Sequence, residues 1–156
     1  MRLTAQEVSG IRSAILKEDP QARIFLFGSR TRDDACRPLL PQETLTERDW
    51  ERLEALTSRF ARLCDLIVHK VFRALDRFEL EPPGTLLDAM NRAERRGLIA
   101  TVEELRAMKD LRNEIAHEYV EAALRGLSGE VLESAPRLLE ISARTDEYAS
   151  RLLASE

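Results

Sequence analysis

The stretch Leu111–Tyr119, LRNEIAHEY, sets an arginine, an asparagine, a histidine and a tyrosine within eight residues, and holds one of only two histidines in the chain. Such side chains can act on a phosphodiester. A histidine takes up and releases a proton near neutral pH, so it can draw one from a nucleophile. An arginine stays charged and clamps phosphate oxygens as charge builds in a transition state. His117 and Arg112 would suffice for cleaving RNA without a metal, the 2′-hydroxyl acting as internal nucleophile. Asn113 could orient the imidazole or bind a phosphate oxygen. Tyr119 could stack on a base or accept a transferred group.

Spacing limits how these residues can cooperate. Each residue of an α-helix advances by about 100°. Asn113 and His117, four apart, share a face, and so do Arg112 and Tyr119, seven apart. Arg112 and His117, five apart, stand about 140° from one another. They cannot converge on one phosphate from a single regular helix. Either the helix is broken here, or a second copy across a two-fold axis completes the site. A solvated helix face carries the same residue types with no chemistry at all. Elsewhere there is no GxSxG, HExxH or P-loop and no metal-spaced Cys/His set, so no metal or other cofactor is expected. His69, between Val68 and Lys70, reads as a bundle or interface histidine.

The elements around the motif read as helical. The chain has 44% hydrophobic but only 5% aromatic residues, which favours helices over a β-sandwich. Thr46 and Asp49 form a capping box that opens a very long helix. Along it Leu53, Phe60, Ile67 and Ala74 recur every seven residues, joined by Leu56, Leu63, Val71 and Phe78, which predicts one continuous buried stripe. The pair Pro82–Pro83 ends it. A shorter helix from Thr85 stops at Gly97, and a box at Thr101–Glu104 starts the motif helix with Val102, Leu105, Met108, Leu111 and Ile115 inward. Gly126 and Gly129 punctuate. A last helix carries Val131, Ala135, Leu138, Leu139 and Leu152, with Pro136 predicting a kink or restart. The expected fold is mainly α: an up-and-down four-helix bundle over residues 45–156, after a linker at 37–44.

Residues 1–36 read as a separate helix–strand segment. Thr4 can cap a helix bearing Val8, Ile11, Ile15 and Leu16, ended by Pro20, and Ile24–Phe27 closed by Gly28 reads as a buried strand. No apolar run approaches a membrane span, and no apolar leader opens the chain, so a cytoplasmic setting without membrane contact is expected. Cys36 and Cys64 form no CxxC pair. A net charge of −4 argues against coating nucleic acid by electrostatics alone, yet leaves room for RNA in a local arginine-lined cleft.

The motif RNEIAHEY and the helices framing it resemble HEPN-domain toxins (higher eukaryotes and prokaryotes nucleotide-binding), whose pattern is R-x4-H-x-Y. The resemblance covers roughly residues 45–153. It implies a HEPN-like bundle, a homodimer that brings arginines and histidines of both chains into one cleft, and metal-independent RNA cleavage. Arg112 and His117 would be the catalytic pair, with Asn113 in support. It further implies a minimal nucleotidyltransferase antitoxin as partner, which adds AMP to Tyr119 and so blocks the toxin. RIFLFGSRTRDDA resembles the start of that same nucleotidyltransferase, with Gly28-Ser29 at its nucleotide-binding turn. Asp33 and Asp34 are adjacent rather than alternating as in D-x-D, so residues 1–36 are expected to be a truncated remnant without nucleotidyltransferase activity. The competing expectation is a non-catalytic subunit that binds a nucleotide or a separate nucleotidyltransferase through the same motif.

Overall fold

The computed structural model describes residues 36–117 and 121–154, with side chains at 36–117 and 123–154. The expected N-terminal helix and the strand at Ile24–Phe27 lie outside the described residues, as does Tyr119. What is described is mainly α, of helical-bundle class, with no strand among the described residues. A 3-10 turn at Arg37–Leu39 precedes α1 (Glu47–Asp65), a π-helical turn (Leu66–Val71) and α2 (Phe72–Phe78). Then come α3 (Leu86–Arg95), α4 (Val102–His117) and α5 (Glu121–Ala154). Residues 36–65 and 103–139 form one compact unit, and residues 66–102 and 140–154 form another.

The helix starts follow from local chemistry. Thr46 Oγ1 accepts from the Asp49 amide at 3.3 Å, and Asp49 Oδ2 accepts from the Thr46 amide at 3.2 Å. Thr85 and Asp88 form the same reciprocal box at the head of α3. The threonine hydroxyl donating to each aspartate holds both carboxyls below their ordinary range.

The long stripe does not continue as the seven-residue spacing predicts. Leu53, Leu56, Phe60 and Ile67 are buried, but Leu63, Val71 and Ala74 are only partly so, and Phe78 is 43% exposed. The buried positions run instead through Cys64, Val68, Phe72 and Asp76, four apart. In a regular α-helix a four-residue step drifts about 40° each time. The wider i→i+5 turn at Leu66–Val71 absorbs that drift and keeps these residues inward. His69 and Lys70, in the same turn, are exposed, so His69 is not a core histidine of the bundle.

The glycines and proline near the end do not interrupt α5 either. Gly126, Gly129 and Pro136 all lie within one helix. Buried Leu127, Val131, Leu132, Ala135 and Leu138 supply the packing that outweighs their poor propensity. Pro136 is exposed, so its ring meets solvent, and the Leu132 carbonyl that its missing amide would have engaged accepts from Arg37 Nη2 at 3.5 Å. Residues of the expected linker thus tie down the helix: Arg125 Nη1 donates to the Gln42 carbonyl at 2.6 Å, and its guanidinium lies 5.6 Å from the Trp50 ring centre.

Candidate functional site

Helix α4 carries the motif. Val102, Leu105, Met108 and Leu111 are buried, each three residues after the last, and this apolar seam sets the orientation of everything else on the helix. Arg112 and Asn113 follow the last seam residue and are half-buried, whereas His117, the final residue of α4, is exposed. The helix is unbroken from Val102 to His117. Arg112 and His117 therefore keep their separation of about 140° around the axis, and among the described residues no hydrogen bond joins them.

Arg112 is held by a residue that the motif does not contain. Its Nη2 donates to Oδ2 of Asp65, the last residue of α1, at 2.5 Å, as a charge-assisted ion pair. Its Nη1 donates to Asn113 Oδ1 at 3.3 Å. Its Nε is buried and meets no hydrogen-bond partner among the described residues. The bond to Asp65 raises the arginine's pKa further, against the smaller opposing pull of burial. The structure thus pairs Asn113 with the guanidinium, not with the imidazole.

The residue before Asp65 in the chain is out of solvent. Cys64, beside Asp65, is buried, and burial pushes its thiol up to about 11. The charge of Asp65 adds to this rise, whereas Arg112 and Lys109 oppose it. Among the described residues no group of three or more His, Cys, Asp or Glu side chains is placed to hold a metal ion. No described helix is long and apolar enough to cross a membrane.

Sequence reasoning found Arg112, Asn113 and His117 but missed Asp65. Its partner lies 47 residues away, and no local spacing ties the two positions together. The one available signal was an acid set directly against an inward cysteine in an otherwise apolar stretch, CDLIV. No protein-family model matches the chain, and neither does any curated protein or solved structure.

Proposed function

We propose that the chain is a metal-independent endoribonuclease toxin of the HEPN type, acting as a homodimer in which Arg112 and His117 of two copies share one cleft. The observation that supports this reading is the continuity of α4. Helix α4 runs without a break from Arg112 to His117, which favours a site completed by a second copy over one built on a broken helix. His117 of one copy takes the proton from the ribose 2′-hydroxyl, and the oxygen attacks the adjacent phosphorus. The bond to the 5′-oxygen breaks, and that oxygen takes a proton from the imidazolium of the second copy. The products are a 2′,3′-cyclic phosphate and a free 5′-hydroxyl. Arg112 neutralises the charge gathering on the non-bridging oxygens. AMP transferred to Tyr119 by a minimal nucleotidyltransferase partner would bring a bulky anion to this cleft and exclude RNA by repulsion and volume.

The test is RNA cleavage in EDTA with end-group analysis. The wild type is expected to leave cyclic phosphate ends, and Arg112→Ala and His117→Ala should each reduce the rate by at least about 10²–10³. Cleavage that persists in both variants refutes the assignment. Nucleotide binding without RNA turnover would instead favour the non-catalytic subunit.

A further inference from the structure

The Arg112 side chain is anchored at two of its nitrogens by acceptors from different places. Asp65 comes from α1, and Asn113 from α4 itself. The third nitrogen, Nε, is buried, while the side chain as a whole stays 30% exposed. A guanidinium has five N–H donors in a fixed plane. One bond to Asp65 and one to Asn113 orient that plane while leaving outward N–H groups for an incoming anion. The Asp65 and Arg112 side chains are 38% and 30% exposed, and a pair so exposed adds little to folding. What it does fix is the direction of the guanidinium.

We infer that Asp65 is a positioning residue for phosphate binding: it fixes the guanidinium plane of Arg112 so that the outward N–H groups meet the scissile phosphate as the cleft forms. This rests on the ribonuclease reading above and adds to it a residue outside the R-x4-H motif. A long flexible side chain must otherwise be ordered during the reaction, and misplacement by about 1 Å costs on the order of 10² in rate. Asp65 does that ordering beforehand. Asn113 alone leaves the plane free to turn about its single neutral bond.

The experiment is steady-state cleavage of a short RNA by the full chain carrying Asp65→Ala, Asp65→Asn or Asp65→Glu, beside wild type and Arg112→Ala. Melting curves are recorded for each. With Asp65→Ala, kcat should fall about ten- to a hundred-fold with KM changing less than about threefold, because the arginine's charge remains. Asp65→Asn, which keeps an acceptor but loses the charge, should lie between Ala and wild type, and Asp65→Glu should recover most of the rate. Melting temperatures should be nearly unchanged. If wild type cleaves and Asp65→Ala cleaves as fast, the positioning role is overturned while the ribonuclease reading stands. A faster Asp65→Ala also overturns it, since the carboxylate would then be masking the arginine. If wild type does not cleave, both fall together.

Discussion

Two arginine–aspartate clusters in this chain have similar distances and opposite characters. In the unit of residues 66–102 and 140–154, Asp76 accepts from Arg92 at 3.0 Å and from Arg96 at 2.6 Å, with all three side chains under 10% exposed. Arg92 also reaches the Pro82 carbonyl and Glu81, and Arg96 pairs with Glu79, whose other oxygen accepts from the Tyr148 hydroxyl. Burial works against the charge on Arg96, yet Asp76 and Glu79 outweigh it and keep its pKa raised. Burial and the bond to Glu79 push the Tyr148 phenol up. In the other unit, Arg112 and Asp65 form one half-exposed contact with donors to spare. The first cluster is closed, its central carboxylate and both guanidinium groups almost out of solvent. The second is open, which is what a binding residue requires.

Removing the acid from each cluster gives the largest effect and divides them most sharply. Asp76→Ala removes the buried carboxylate shared by two buried guanidinium groups and should cost about 3–5 kcal/mol of folding stability. Asp65→Ala should cost less than about 1 kcal/mol. Urea unfolding of the two variants beside wild type measures both. Equal losses would erase the distinction and make Asp65 a structural residue.

Capping chemistry made much of this fold legible in advance. Thr46–Asp49, Thr85 and Gly97 mark helix ends through bonds spanning only a few residues, and the structure holds them. The buried stripe was legible through Leu53, Leu56, Phe60 and Ile67 but not at Leu63 or beyond Ile67, because a fixed spacing assumes a uniform helix and a π-turn has no residue signature of its own. In α5 the carbonyl left unpaired by Pro136 is met by Arg37, 95 positions before Leu132 in the chain. The same limit applies to the site. Arg112, Asn113 and His117 could be named from one local string, whereas Asp65 enters through tertiary packing. Nothing in the local sequence singles out Asp76, Arg92 or Arg96, since one chain does not reveal which charged residues meet one another in the interior.

The thiol beside Asp65 tests how dry the protein is next to the open cluster. A cysteine has an ordinary pKa near about 8.5, and the folded Cys64 is raised to about 11. Above the ordinary value the unfolded chain loses this proton and the folded chain keeps it. The raised value thus contributes stability that is complete below about pH 8.5 and is lost as pH climbs toward the folded pKa. The loss attributable to Cys64 should reach on the order of 2 kcal/mol by about pH 10.5. Cys64→Ala should be less stable than wild type at pH 8 and show a shallower decline between pH 8 and 10.5. Parallel declines would mean that water reaches the thiol.

The smallest effect concerns how the closed cluster holds its own backbone. Helices α2 and α3 end in the same motif. After α2, the Glu81 amide bonds to the Asp76 carbonyl and the Leu80 amide to that of Arg77; after α3, the Leu98 amide bonds to Ala93 and Gly97 to Glu94. Each motif needs one residue in the left-handed region, and α3 uses Gly97 at φ 73° where α2 uses Leu80 at φ 57°. Leu80 is 90% exposed, so it gains no burial to offset the strain. Its neighbours Glu79 and Glu81 are each tied to buried arginines, and these bonds hold the strained residue in place. Leu80→Gly removes about 1–2 kcal/mol of strain and restores about 0.5–1 kcal/mol of unfolded-chain freedom, for a net gain of about 0.5–1 kcal/mol. Gly97→Ala runs the other way, losing about 1 kcal/mol, because open space around Gly97 does nothing for its positive φ. In an Asp76→Ala background the neighbours of Leu80 are loosened and the gain from Leu80→Gly should shrink. A gain of undiminished size there would show that the buried network does not hold this turn.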